Sequence, residues 1–137
     1  GCPHHCEGCH NPDTHSFDGG ELMEVDKIAQ RAFENPLLDG LTFSGGEPFM
    51  QCKALCYLAE LAIQRGLNII AYTGFTWEKL ILDKDAMELI KLCKYIIDGP
   101  FILEQKSLML NFRGSQNQRI IDVEASLKDG KVHCAEM

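Results

Sequence analysis

The chain has 137 residues, 45% of them hydrophobic, and a formal net charge of -7, which is enough apolar material for one domain over residues 1–137. The acidic balance disfavours nucleic-acid binding, because a protein that follows phosphates carries a clustered Lys/Arg face. No segment approaches the roughly 18 apolar residues of a membrane span, and none has the pattern of a secretory signal. We therefore expect a cytoplasmic protein without a nucleic-acid or membrane partner.

The apolar pattern predicts alternating helices and strands. In chain order it predicts a loop over residues 1–20, a helix over 21–34, a strand over 40–44, a helix over 48–64, a strand over 67–73, a helix over 77–92 that breaks near Asp83, and strands over 95–98 and 118–122. This alternation predicts an α/β fold with a parallel sheet. Sites in such folds collect beyond the carboxyl ends of the strands, here residues 44–47, 73–74 and 98–99.

Three of the seven cysteines, Cys2, Cys6 and Cys9, are crowded into the first nine residues. Their spacing, C-x3-C-x2-C, allows one short loop to place three thiolates around a single iron-sulfur cube. Three protein ligands leave one iron open, whereas a cube that only carries electrons normally has four cysteine ligands. The triplet therefore predicts a 4Fe-4S cluster with one iron available to a small molecule.

Structural zinc is a second explanation of the same cysteines. One of the nearby histidines, His4, His5, His10 or His15, would then complete a Cys3His tetrahedron. The triplet alone does not separate zinc from the cube. If the cube is present, the open iron is reserved for a cofactor, and we expect His4 and His5 to be loop residues exposed to water.

A second motif, Ser44-Gly45-Gly46-Glu47-Pro48, follows the first predicted strand. Its two glycines let the backbone approach a ligand closely, and Glu47 adds one negative charge. A carboxylate with neighbouring carbonyls suits the α-ammonium group of an amino-acid-like ligand. Taken alone, the segment is equally compatible with an ordinary strand-to-helix turn.

The cysteine triplet, followed by a helix and a strand that ends in this motif, resembles the radical S-adenosylmethionine superfamily. The resemblance implies a partial, open (β/α) barrel, smaller than the full eight-stranded form. In the family a short N-terminal strand precedes the cluster loop and begins the sheet, and we expect that strand to be missing from this sequence. The resemblance also implies that S-adenosylmethionine chelates the open iron. An electron from the cluster then cleaves the sulfonium and releases methionine and a 5'-deoxyadenosyl radical.

Further segments resemble the family of activating proteins of anaerobic ribonucleoside-triphosphate reductase. They are residues 1–6, 9–12, 98–101, 113–115 and 117–119. This resemblance implies that the radical removes hydrogen from a glycine of the reductase's large subunit, so the substrate is a protein. Residues 10–44 contain no cysteine for additional clusters, and the resemblance implies an external electron donor such as a flavodoxin or ferredoxin.

The same resemblance implies roles for residues of the cysteine loop, the loop predicted over residues 1–20. Cys2, Cys6 and Cys9 would bind the cluster and act as the catalytic residues through it. The backbone of Gly8, Cys9 and His10 would contact S-adenosylmethionine. Gly8 departs from the superfamily pattern, because many members have an aromatic residue before the last cysteine.

The strand ends supply the remaining cofactor contacts that the resemblance implies. Gly45, Gly46 and Glu47 would form the site for the methionyl amine. Thr73 and Asp98 would contact the ribose or the methionyl carboxylate.

Several other polar and sulfur-containing residues have a plainer interpretation. Cys52 and Cys56 share a face of a predicted helix, which indicates core packing, and Cys93 and Cys134 have no neighbours for a second cluster. The segment 111–122 is compatible with a solvated hairpin or with docking of the reductase's glycine loop.

Three alternative functions stay open at this stage. The chain could activate another glycyl-radical enzyme, such as pyruvate formate-lyase, or carry out radical chemistry on a small molecule. It could also be a zinc-stabilised binding module without catalysis.

Overall fold

Four short strands form the sheet on which the rest of the structure is built. The computed structural model describes residues 1–9 and 11–135. The strands are β1 (Gly40–Phe43), β2 (Asn68–Tyr72), β3 (Tyr95–Asp98) and β4 (Arg119–Asp122), and they lie side by side in the order β1-β2-β3-β4. The sheet is open, since β1 and β4 lie at its two edges in the described residues. The boundaries of all four strands lie within one residue of their predicted positions, and the α/β class is confirmed.

The direction of β4 differs from the prediction of a parallel sheet. β1, β2 and β3 are parallel to their neighbours, but β4 pairs with β3 in the antiparallel direction, with Ile96 opposite Ile121. Parallel neighbours need a crossover connection, usually a helix. Residues 99–118 contain only a single 3-10 turn at Leu103–Gln105 and no crossover helix. The chain therefore turns back after β3, and β4 begins at the end of the sheet where β3 finishes.

Five helices accompany the sheet in the described part of the chain. They are α1 (Val25–Phe33), α2 (Cys52–Gln64), α3 (Trp77–Leu80), α4 (Lys84–Ile90) and α5 (Val123–Asp129), with further 3-10 turns at Pro12–Thr14 and Pro48–Gln51. The predicted break near Asp83 is confirmed, because its side chain accepts hydrogen bonds from the Asp85 and Ala86 amides and starts α4. α5 was not predicted, since it follows β4 directly with no separating loop.

The two faces of the sheet have different roles. Side chains alternate between the faces of a strand, and Ile69, Ile96 and Ile121 belong to the main hydrophobic cluster together with residues from α1, α2 and α4. Ile97 and Ile120 are buried outside that cluster. Tyr72, the register partner of Ile97, lines a cleft. Within the described residues, no helix has the length and apolar character needed to cross a membrane.

Replacing Leu89 of α4 with Ala should lower the free energy of unfolding by about 2–5 kcal/mol, because Leu89 is 0% exposed in the core. The matched control is Leu82→Ala, whose side chain is 85% exposed and whose loss should change stability by less than about 0.5 kcal/mol. Urea unfolding followed by circular dichroism measures both. Equal effects of the two substitutions would contradict the assignment of the core.

Candidate functional site

A cleft opens at the end of the sheet where β1, β2 and β3 finish and β4 begins. Three cysteines of the N-terminal loop line it. The strand-end residues that line the same cleft are Ser44, Gly45 and Gly46 after β1, Tyr72, Thr73 and Gly74 at the end of β2, Gly99 and Phe101 after β3, and Gln118 before β4. The structure therefore brings the cysteine triplet and the Gly-Gly segment, far apart in sequence, to one place.

Backbone hydrogen bonds shape the cysteine loop. The Cys2 amide donates to the His15 carbonyl at 3.3 Å, and the Cys9 amide donates to the Cys6 carbonyl at 3.1 Å. The Asn11 amide donates to the Cys9 Sγ atom at 3.4 Å. Hydrogen bonds to cysteine sulfur of this kind tune iron-sulfur clusters.

The two glycines of the motif are required by the backbone around them. Gly45 has φ +100°, a conformation that side chains disfavour. A Cβ atom on Gly46 would lie 2.5 Å from the Gly1 carbonyl oxygen and 3.2 Å from that of Thr14. The Glu47 amide donates to the same Gly1 carbonyl at 2.9 Å. The start of the chain is thus packed directly on the glycine turn.

Glu47 lies beneath this turn, with its side chain 1% exposed. Oε1 accepts hydrogen bonds from His4 Nε2 at 2.6 Å and from the Gly74 amide at 2.7 Å. Oε2 accepts from the Thr73 hydroxyl at 2.9 Å and from the Phe49 amide at 3.1 Å. A carboxylate has about four acceptor positions, so all of them are filled.

His4 is the residue of this site that the sequence analysis missed. Its side chain is 15% exposed, its ring packs edge-on against Phe75 with centroids 4.5 Å apart, and Gly74 leaves no Cβ in its way, since one would lie 2.5 Å from the ring. The expectation that His4 is exposed to water was wrong. His5, in contrast, is exposed as predicted. No sequence signal separates these two adjacent histidines.

Thr73 supports Glu47 from the end of β2. Its hydroxyl donates to Glu47 and accepts from the Phe75 amide at 3.0 Å. Thr73 lines the cleft as well. Its hydroxyl is therefore engaged on the protein side, while the residue itself borders the space that a ligand would occupy.

Asp98 lies at the end of β3 but is not among the residues that line the cleft. Its carboxylate accepts from the Trp77 amide at 2.8 Å and from Arg119 Nε at 3.0 Å. Arg119 Nη2 also contacts Glu78 at 2.7 Å. The hydrogen bond that Arg119 donates to Asp98 is the largest cause that raises the pKa of Arg119 above its ordinary value; burial opposes this shift, and the hydrogen bond to Glu78 adds to it. The Asp98 carboxylate joins the start of α3 to β4.

Two other predicted cofactor contacts lie in the cysteine loop. Gly8 has φ +73°, a conformation that favours glycine. His10 lies outside the described residues. In the part of the chain that the structure describes, no three His, Cys, Asp or Glu side chains are grouped so as to hold one metal ion.

The cysteine loop nevertheless fits an iron-sulfur cube. A cube carries each thiolate on a different iron, so its ligands need not converge on one atom. Thiolates are the soft ligands that iron-sulfur clusters use. Cys2, Cys6 and Cys9 all line the cleft as free cysteines, opposite backbone that carries no side chains at Gly45, Gly46 and Gly74.

The other four cysteines do not line the cleft. Cys52 donates to the Phe49 carbonyl at 3.0 Å and Cys93 to the Leu89 carbonyl at 3.4 Å. Burial raises the pKa of Cys52 to about 11 and that of Cys93 to about 12. Burial also raises the pKa of Cys56. Cys134 is exposed at the far end of the chain.

Comparison with known proteins places this site in a family context. Residues 1–121 match the family model described as a 4Fe-4S single cluster domain. The anaerobic ribonucleoside-triphosphate reductase-activating protein of Haemophilus influenzae is 34% identical over 130 residues, covering 88% of this chain and 81% of that protein. The proteins of the same name from Vibrio cholerae and Enterobacteria phage T4 are 35% and 30% identical, each over 88% of this chain and over 81% and 78% of their own lengths.

Cysteine alkylation should separate these environments. Because the thiolate is the nucleophile, iodoacetamide at about pH 8 should modify Cys134 at least about a hundredfold faster than Cys52 or Cys93, whose raised pKa values keep them as buried thiols. Raising the pH should speed the slow sites as their thiolate fraction grows. Peptide mass spectrometry over time measures the rates, and equal rates at Cys52 and Cys134 would contradict the assigned burial.

Proposed function

This chain belongs to the family of anaerobic ribonucleoside-triphosphate reductase-activating proteins and to the 4Fe-4S single cluster domain family, and we propose that it activates such a reductase. The observation that carries this proposal is the convergence of Cys2, Cys6 and Cys9 on the cleft that the glycine turn borders. These three cysteines would bind the cluster. Their number leaves one iron without a protein thiolate.

The chemistry we propose is that of the radical S-adenosylmethionine superfamily, with the open α/β sheet as its partial (β/α) barrel. When bound, the reduced cluster supplies the electron that cleaves S-adenosylmethionine, and the resulting 5'-deoxyadenosyl radical takes hydrogen from a glycine of the reductase's large subunit. The electron donor, a flavodoxin or ferredoxin, and the cytoplasmic location are predictions from the sequence.

The protein's own residues would hold the cofactor at the strand ends. The backbone of Gly8, Cys9 and His10 would contact it from the cysteine loop. Gly45 and Gly46 would allow it to approach the turn.

Glu47 would provide the negative charge for the methionyl amine. Contacts from Thr73 or Asp98 to the ribose or methionyl carboxylate stay predictions. Thr73 borders the cleft, which supports a contact with the cofactor. The hydrogen bonds of Asp98 with Arg119 and with the Trp77 amide instead favour a structural role for Asp98.

Electron paramagnetic resonance tests the proposal directly. After anaerobic reconstitution and reduction, the protein should show the signal of a reduced 4Fe-4S cube, and S-adenosylmethionine should change that signal because it binds the open iron. Cys6→Ser should lose the cube, since one of three ligands is removed. Cys134→Ser, an exposed cysteine away from the cleft, is the matched control and should retain it.

The partner is tested in the same experiment. Adding the large subunit of the anaerobic reductase should produce a glycyl radical signal. If the reductase gives no such signal and pyruvate formate-lyase does, the chain activates pyruvate formate-lyase instead. A protein that takes up zinc and no sulfide would reject both and favour the binding module.

The filled acceptor positions of Glu47 bear on how an amine would bind there. Two of the four donors are backbone amides, and the third is the buried Thr73 hydroxyl. His4 is the fourth and comes from the cysteine loop. An ammonium group that approaches Glu47 would therefore take the place of His4. His4 can leave without disturbing the strand ends, because the other three donors belong to the turn after β1 and to the end of β2.

Removing His4 should consequently strengthen cofactor binding. We expect His4→Ala in the reconstituted protein to bind S-adenosylmethionine several-fold more tightly, and His4→Gln, which keeps an N–H donor, to bind like the unmodified protein. Glu47→Gln should bind at least about tenfold more weakly, because it loses a charge-assisted hydrogen bond. Anaerobic calorimetry measures the three affinities. Weaker binding by His4→Ala with an intact cluster would show that His4 assists the cofactor instead.

A further inference from the structure

A hairpin over residues 106–115 stands beside the cleft. Its base is closed by a bridge between Lys106 and Ser115 and by the Ser107 amide, which donates to the Gly114 carbonyl at 3.4 Å. Just outside the bridge, the Gln116 amide donates to the Gln105 carbonyl at 2.9 Å. The hairpin therefore has a fixed base.

Polar side chains attach this base to the cleft wall. Gln118, which lines the cleft, accepts from the Gly114 amide at 2.8 Å and donates to the Gly99 carbonyl at 3.1 Å. Asn117 donates to the Pro100 carbonyl at 2.8 Å. The Ile102 amide donates to the Ser115 hydroxyl at 3.2 Å. These polar groups, considered above for docking or for a solvated hairpin, hold the hairpin against the loop that follows β3.

The tip of the hairpin has the opposite character. Leu108 and Met109 are each 91% exposed and Phe112 is 53% exposed, although turn positions usually carry Gly, Pro, Asn, Asp or Ser. Leu110 is the fourth apolar residue of this five-residue tip. Single exposed apolar side chains are ordinary, but a contiguous group on a braced projection is typical of an interaction site.

The charge around the tip limits the kind of partner. Residues 105–119 contain Lys106, Arg113 and Arg119 and no acidic residue, in a chain whose net charge is -7. Arg119 is occupied by Asp98 and Glu78, so Lys106 and Arg113 are the charges that flank the tip. A complementary surface would present an apolar pocket with a neutral or acidic rim.

We propose that the tip, Leu108 to Phe112, is the docking surface for the large subunit of the reductase, an inference that rests on the proposed function. That function needs a polypeptide segment to enter the cleft. The hairpin is joined to the cleft wall through the Gly114 amide, which donates to the Gln118 side chain at 2.8 Å, and a Cβ atom on Gly114 would lie 3.1 Å from the Phe101 ring. A partner that covers the tip would be held at a fixed position relative to the cleft. The apolar tip supplies affinity and the braced base supplies orientation.

The test compares Met109→Glu and Leu108→Glu with Leu37→Glu. Leu37 is 85% exposed and precedes β1, at the opposite end of the sheet from the cleft. Binding of the reconstituted protein to the large subunit is measured by anaerobic biolayer interferometry. Cleavage of S-adenosylmethionine with dithionite, in the absence of the reductase, is measured as 5'-deoxyadenosine formed.

Each tip variant should bind the large subunit at least about tenfold more weakly, as expected for the loss of a central apolar anchor, and Leu37→Glu should bind within about twofold of the unmodified protein. All three should cleave S-adenosylmethionine at the unmodified rate, because the tip residues do not line the cleft. Unchanged reductase binding by both tip variants would overturn the docking surface.

Two further outcomes would assign the tip elsewhere. If sedimentation shows that the tip variants lose self-association while reductase binding is intact, the surface joins copies of this chain. If they lose only binding to phosphatidylglycerol vesicles, the tip contacts membrane. Failure of the unmodified protein to cleave S-adenosylmethionine would reject the proposed chemistry, while the binding comparison would still decide the docking surface.

Discussion

The buried carboxylate of Glu47 is the interaction on which the site depends. An ionised carboxylate without partners is costly to bury, by several kcal/mol in a real protein. Glu47 avoids this cost because its four donors come from three parts of the chain: His4 from the cysteine loop, Phe49 from the turn after β1, and Thr73 and Gly74 from the end of β2. Each part is therefore held in place by the need to satisfy the same charge.

Asp98, at the end of β3, is a second buried carboxylate that joins separate parts of the chain. It receives the Trp77 amide at the start of α3 and the Arg119 guanidinium from β4. The antiparallel edge strand is thus fastened to the parallel part by a charge pair as well as by the ladder. Because Arg119 is a third exposed and also contacts Glu78, solvent screens part of this interaction. The buried Asp98–Trp77 hydrogen bond is the part that solvent does not weaken.

Local sequence patterns predicted the elements well, and long-range contacts explain what they missed. The strands and the break at Asp83 depend on short-range periodicity and capping, which one sequence displays. The direction of β4 depends on the path of residues 99–118, and no local pattern encodes that path. The position of His4 depends on Glu47, which lies 43 residues away. The cysteine triplet and the glycine turn could be recognised because their chemistry is carried by spacing within a short segment.

The arrangement also couples the cluster to the cofactor turn. The cysteine loop is attached to the sheet mainly through contacts of Gly1 and His4 with the glycine turn and Glu47, and it has no helix or strand of its own apart from one 3-10 turn among its described residues. A ligand that binds only the ordered loop stabilises it by mass action. Since the same turn would receive the cofactor's amine, order in the cysteine loop and occupancy of the turn are linked. The contact of Gly1 with the Glu47 amide can persist when the amine binds, whereas the His4 contact with the Glu47 carboxylate is the one that the amine would replace.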